Sequence, residues 1–356
     1  MIKSWAFEFF FASREIEPII QGAGPNPSEE VCKEYASKII PYFQSYVDLW
    51  ASAEKLGFHG IVMSEHHFGG GYSPSPNLLL PLIAERTKNI RIGVMGMVLP
   101  YHNAWRIVEE VGMLDILCGG RLEIGTSAGI PGEFKRIGLD PVEARARYEE
   151  ALEILDAGIK NPVLTHHGKF WNFDELTLLP RPVQFNPPVW TTVISPESAR
   201  KAARRGSKIV TGFIPTDKVK EVFDAYNEEA DKCGNPTGPD MCGLRRQVIF
   251  EIDEETAGKS EAYGEMFKGM IAKADDRMAT SERKALDSPG KHGYTIGKEE
   301  FIGGTPSEAA DEIIEQCKGS GAGHFQVVFS GDNSLQELAA NWELFGQYVI
   351  PKLNEA

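Results

Sequence analysis

Along this chain, short apolar segments of period two are followed by segments spaced for a helix, and the exchange repeats from end to end. "SWAFEFFFA" reads as a strand, and helical spacing from about Pro41 to Leu56 stops at Gly57. "FHGIVMSEH" is strand-like, a helical stretch covers about 77–87, and "IRIGVMGMVLP" is a strand again. A helix near 104–117, the strand "RLEIGTSAG" and a strongly periodic helix over 141–158 follow. The second half continues with "PVWTTVI", "SPESARKAARRG", "SKIVTGF", a helix from about Asp217 to Asp231, and "GLRRQVIFEI". It closes with the helix "SEAADEIIEQCKGSG", the strand "HFQVVFS" and a helix near 334–348. Strands that exchange with helices build a parallel sheet, because parallel neighbours need a long crossover between them. About eight such strands predict an α/β fold, a closed (β/α)8 TIM barrel with insertions, and 356 residues suffice for one.

A single domain, 1–356, is expected, with two interruptions of the rhythm. Residues 161–188 are rich in proline and aromatics and read as an excursion with a short hairpin. Residues 253–302 are polar with little period, and a stretch of that length is expected to be a lid over the barrel.

The charge balance narrows the partners. Lys+Arg 37 against Asp+Glu 51 gives a net charge of -14, a field that repels phosphodiester backbones and anionic lipid surfaces. No nucleic acid and no membrane are therefore expected as partners. The apolar run in "MIKSWAFEFFFASRE" is too short to cross a bilayer and lacks a small-residue cleavage site, so it reads as a buried first strand. The cysteines are scattered without a C-x-x-C pair and read as reduced thiols, which suggests a cytoplasmic location.

Chemistry concentrates first in "SEHHF" at 64–68. Successive strand residues point to opposite faces, so His66 and His67 cannot both face one metal on a regular strand. Neither H-E-x-x-H nor C-x-x-C occurs, so no metal is expected. The pair ends its strand at the rim where barrel enzymes place their chemistry, and one histidine should face the pocket. Satisfied hydrogen bonds at a strand end are the plainer alternative. Gly93 and Gly96 interrupt an apolar strand, which marks close approach of a ligand or of another backbone, or a size match inside the barrel. In "ISPES", Ser195 reads as an N-cap, Pro196 as the first helical residue and Ser198 as a further hydroxyl. Such a terminus attracts phosphate, although Glu197 already brings negative charge to the turn. "TPSE" at 305–308 reads as a structural capping box. No G-x-G-x-x-G follows a strand, and neither a G-x-S-x-G elbow nor a P-loop is present.

With these segments in view, the chain resembles the bacterial luciferase-like flavin monooxygenases. The resemblance is carried by "LGFHGIVMSEHHF", "IRIGVMGMVLPYHNAWRIVEEVGMLDILCGGRLEIGTSAG", "PVWTTVISPESARKAARRG", "GGTPSEAADEI" and "FGQYVIPKL", in the family's order and across nearly the whole chain. It implies FMN at the barrel mouth, with the phosphate at Ser195 and Ser198. It also implies that His66 is the active-site histidine, that His67 points to the helical shell or a neighbouring subunit, and that a non-proline cis bond joins Met95 and Gly96. The chain departs from the family pattern in three places. Ser127 and Ala128 stand where luciferases have a cysteine and a phosphate-binding arginine, and Ile194 stands in place of a glutamate. Ser127 is then a candidate cofactor contact, and Arg147 or Arg145 a candidate replacement for the arginine.

The activity implied is that of a two-component monooxygenase. Reduced FMN comes from a separate reductase, and O2 is used through a peroxyflavin to oxygenate a small apolar substrate by Baeyer-Villiger, epoxidation or hydroxylation chemistry. "LPYHN", with His102, is closest to the terpene and cyclic-ketone oxygenases of the family. A deazaflavin-dependent oxidoreductase of the same fold and a non-catalytic flavin-binding protein are the alternatives. The family's habit also implies a homodimer through helices near the second and third strands.

Overall fold

The computed structural model describes residues 1–68, 71–276, 298–329 and 333–356. Its strands are β1 (Lys3–Glu8), β2 (Gly60–Met63), β3 (Arg91–Val98), β4 (Leu122–Ser127), β5 (Val163–His167), β6 (Asn172–Thr177), β7 (Val189–Thr192), β8 (Lys208–Thr211), β9 (Cys242–Phe250), β10 (Phe301–Gly304) and β11 (His324–Phe329). The helices are α1 (Glu17–Gln21), α2 (Glu29–Lys55), α3 (Leu80–Arg86), α4 (Ala104–Leu117), α5 (Pro131–Arg136), α6 (Pro141–Lys160), α7 (Pro196–Arg205), α8 (Thr216–Cys233), α9 (Lys259–Asp276), α10 (Pro306–Ser320), α11 (Leu335–Leu344) and α12 (Ile350–Glu355).

Strands β9, β11, β1, β2, β3, β4, β7 and β8 pair in that order, all in parallel, and β8 returns to β9 to close the barrel. The TIM barrel is thus the fold observed. β5 and β6 form the antiparallel hairpin read in the 161–188 excursion. Side chains split by strand parity into two sets. Trp5, Phe7, Val62, Met95, Trp190, Val210 and Val328 fill the barrel, and the much larger remaining core lies between barrel and helices. At the lower end, Trp5 donates from Nε1 to His324 Nδ1 at 2.9 Å and packs edge-on against Trp190 at 5.9 Å, so the barrel is plugged from below. Ligands are left the upper end.

Three elements differ from the sequence reading. Helix α2 starts at Glu29, capped by Ser28, and runs through Pro41, whose ring faces solvent. β1 stops at Glu8 because Phe10 adopts a φ of 49° and breaks the ladder. β10 begins in the last two residues of the stretch read as a polar insertion and pairs with the upper half of β9. Of the expected lid at 253–302, residues 277–297 lie outside the described residues.

Candidate functional site

The upper end of the barrel is built from the first residues past β1, β2, β3 and β4. Alternation along β2 puts Val62 inside; residues 64–67 follow the end of that strand and are placed by their contacts. The His66 ring stacks on Phe9, centroids 5.5 Å apart, and Phe9 meets Phe7 of the barrel interior at 5.0 Å. Ser64 is buried, and among the described residues its Oγ has no hydrogen-bond partner.

Behind the imidazoles stand two carboxylates. Glu133, on the short helix α5, meets His66 Nδ1 at 3.2 Å and accepts the backbone N–H of His67 at 3.1 Å through the same oxygen. Tyr101 donates its hydroxyl to the other oxygen at 3.3 Å. Burial drives the Glu133 carboxyl up, but hydrogen bonds from His66 and the His67 N–H outweigh it and hold the group below the ordinary carboxylate range. An ionised carboxylate only accepts, so His66 donates to it from Nδ1, and its Nε2 makes no hydrogen bond among the described residues.

Glu65 is the second anchor. Its Oε1 takes His67 Nε2 at 3.0 Å and His102 Nε2 at 2.9 Å, and its Oε2 takes the Val98 N–H at 3.0 Å. Burial raises this carboxyl too, yet the hydrogen bonds from His102 and His67 bring it net below its ordinary value. His67 moves the other way: the bond to Glu65 raises it against the opposing effect of burial. His67 and His102 thus bind the loops after β2 and β3 together through Glu65, and the His66 ring is left stacked on Phe9. Among the described residues no group of three or more histidine, cysteine, aspartate or glutamate side chains could hold a metal ion.

The bond between Met95 and Gly96 is cis, as the resemblance implied. Of the readings open for the glycines, close approach of another backbone is the one observed. A Cβ on Gly93 would lie 2.3 Å from the carbonyl oxygen of Glu123, and one on Gly96 2.7 Å from the backbone of Thr126. Ser127 ends β4, and its Oγ accepts the Gly129 N–H at 3.1 Å.

Around the fifth barrel strand, Ser195 caps α7. Its Oγ accepts the Ser198 N–H at 3.3 Å, and its own N–H donates to Ser198 Oγ at 3.2 Å. Helices α6 and α7 run side by side, with Lys201 on Glu149 at 3.0 Å and Arg205 3.8 Å from Asp156. Arg145, one turn before Glu149, thus falls level with the first turn of α7; it is exposed and among the described residues makes no hydrogen bond or ion pair. Arg147 is engaged elsewhere: it pairs with Glu143 at 2.8 Å and lies 4.6 Å from the Phe170 ring of the hairpin. It makes no hydrogen bond to either serine.

Sequence reasoning singled out His66, His67 and His102 but missed the carboxylates that organise them. Glu65 was visible within "SEHHF" as a partner two residues before His67. Glu133, in "IPGEF", carried no signal of its own, because its place beside His66 follows from loop geometry.

Comparison with known proteins adds independent findings. The family model described as luciferase-like monooxygenase matches residues 21–324. The oxygenase component of the flavin-dependent trigonelline monooxygenase of Acinetobacter baylyi is 28% identical over 338 residues, 88% of this chain and 91% of that one. An uncharacterized protein of Sinorhizobium fredii, y4wF, is 38% identical over 231 residues, so that match spans 64% of this chain and 65% of the relative. Among solved structures, the FMN-bound oxygenating constituent of 3,6-diketocamphane monooxygenase of Pseudomonas putida, a type II Baeyer-Villiger monooxygenase, aligns at TM-score 0.73 with 19% identity over 99% of both chains. An F420-dependent secondary alcohol dehydrogenase aligns at 0.71 with 15% identity, again over 99% of both. Both structural likenesses speak to the fold alone. No described helix is long and apolar enough to cross a membrane.

Proposed function

This chain belongs to the luciferase-like monooxygenase family, and from that premise we propose that it is a flavin-dependent monooxygenase using reduced FMN from a separate reductase, O2 and a small apolar substrate. The observation that carries the reading is the arrangement of His66: a ring stacked on Phe9, which itself meets Phe7 of the barrel interior, and a carboxylate behind Nδ1 that leaves Nε2 available. Bound reduced flavin would supply the oxygen-activating chemistry.

The residues present fit that cofactor. The α7 terminus offers Ser195 and Ser198 beside the unpaired Arg145, a donor set suited to a phosphate. Arg145 is thereby preferred to Arg147 as the replacement for the family arginine. The interior offers an apolar face, Phe9 and Met95, together with the unpartnered Ser64 hydroxyl. His66 then holds or releases a proton at Nε2 next to the reacting centre, with Glu133 fixing its tautomer. Phe7, Phe9 and Phe11 follow one another at 5.0 and 5.1 Å and offer an aromatic lining that excludes water and suits an apolar substrate. The trigonelline relative supports the class of reaction.

The test is His66→Ala assayed with chemically reduced FMN. A fall of about 10²–10⁴ in product formed per flavin is expected, the range for a positioned acid or base. Unchanged yield would remove the assigned role. Reconstitution with reduced F420 in place of FMN, scored by oxygen consumption, separates the hydride-transfer reading, which has the fold behind it. Retention of oxidised FMN without any oxygenated product would mark a binding protein.

A further inference from the structure

Strand β9 carries two consecutive arginines that the fold treats in opposite ways. Arg246 faces the helical shell, is fully buried, and is neutralised by Glu300 at 2.9 Å with further bonds to Gln316 and the Ile214 carbonyl. Arg245 faces the barrel interior. It is 7% exposed, its guanidinium carbon lies 3.8 Å from the Phe7 centroid, and its Nε and Nη2 both donate to Gln326 Oε1, at 3.0 and 2.9 Å. Among the described residues it has no carboxylate partner, and its Nη1 makes no hydrogen bond. Gln326 is fully buried and commits its oxygen to Arg245, so its Nε2 is left without an acceptor.

Glu300, already paired with Arg246, acts on Arg245 only from a distance; a buried cation with no carboxylate in contact is expensive, and an apolar side chain of similar volume would serve packing better. Burial pushes Arg245 down to about 9, so at neutral pH it still carries its charge. Two donors and one positive charge inside the barrel thus await an acceptor that the described chain does not provide. The direction in which they act is set by the ring contacts. Phe7, whose ring the guanidinium faces, meets Phe9, and Phe9 stacks on His66. The charge, offset by Glu300 only from a distance, therefore sits below the same mouth as the candidate active-site imidazole.

We infer that Arg245 selects the charge state of the cofactor, favouring the anionic reduced form of FMN over the neutral oxidised form. The inference rests on the FMN reading above and deepens it. A fixed charge in an interior of effective dielectric ~20 acts over roughly 8 Å strongly enough to bias binding by about tenfold or more. An enzyme that receives reduced flavin from elsewhere gains from such a bias, because the spent oxidised form is released while the reduced form is held.

The experiment measures dissociation constants for oxidised and for dithionite-reduced FMN, anaerobically, in wild type, Arg245→Met and Arg245→Lys. Wild type is expected to bind the reduced form at least tenfold more tightly. Arg245→Met should lose that preference, each tenfold of which corresponds to ~30 mV in the two-electron potential, and Arg245→Lys should keep most of it. Arg245→Gln, which keeps a polar partner for Gln326 without the charge, replaces Arg245→Met if that variant does not fold. A wild-type ratio in the uncharged variants overturns the assignment of Arg245 while leaving the FMN reading intact, and so does an equal loss of both forms. A wild-type protein that binds neither form overturns both.

Discussion

At Glu133 a single carboxylate decides which nitrogen of His66 is free, and the side chain that best isolates that effect is glutamine. Glu133→Gln keeps shape and volume but offers an amide that can donate to Nδ1, which would move the ring proton to Nε2. The expected result is a fall of about 10- to 100-fold in oxygenated product, the size of loss typical when a histidine loses its orienting partner, with FMN affinity little changed. A larger share of the oxygen consumed should appear as hydrogen peroxide, which stopped-flow reoxidation with a peroxide assay reads without knowledge of the substrate. The neighbouring pair makes a prediction on stability. His67 is raised by Glu65, so its stabilisation is present below about 6.5 and fades as pH climbs through the higher folded value. Glu65 is lowered, so its share is present above about 4.3 and fades as pH falls through the lower folded value. Thermal melting should therefore be highest between those limits. His67→Gln should flatten the alkaline limb; an unaltered limb would assign it to another group.

At the scale of elements, the α7 terminus and the β3–β4 contact are the most exposed to test. Ser195→Ala removes a side-chain cap that accepts the Ser198 N–H, at a cost of about 1 kcal/mol, and on the proposed reading also weakens FMN binding. Riboflavin, which lacks the phosphate, should show no such weakening; equal losses for both ligands would mean that the serine acts on the fold alone. Gly125→Ala meets a harder limit, because its Cβ would fall 2.0 Å from the Val94 carbonyl oxygen. Destabilisation of about 1–3 kcal/mol or more is expected, read by chemical denaturation. The cap was legible in "ISPES", since capping is local chemistry that three or four residues settle. The contacts at Gly93 and Gly96 were legible only as alternatives and that at Gly125 not at all, because the neighbour that fills each space belongs to another strand. For α2 the sequence misled: Pro41 looked like a helix start, yet an exposed proline forfeits one hydrogen bond and a helix already nucleated at Ser28 runs past it.

For the molecule as a whole, strand–helix exchange made the barrel readable, since eight parallel strands with crossovers leave little other topology, whereas β10 hid in polar sequence because it pairs only along the upper half of β9. The outer surface makes the last prediction. Met113, Ile116 and Leu117 share one face of α4 and are about half exposed, and Leu78 and Leu82 beside α3 are exposed as well. Spacing of three and four residues gives a continuous apolar stripe, the kind of face that monomers seldom leave in water. On the proposal that a second copy covers it, the same helices of two chains would pack about a twofold axis, so each substitution acts twice. Met113→Glu with Leu117→Glu should convert a dimer to a monomer in sedimentation velocity without loss of helical signal. Because α4 follows directly on the loop that bears Tyr101 and His102, the monomer should also hold Glu65 less firmly and melt at lower temperature. A wild-type protein that sediments as a monomer at micromolar concentration would refute the interface, while leaving the barrel mouth and its histidine as they are.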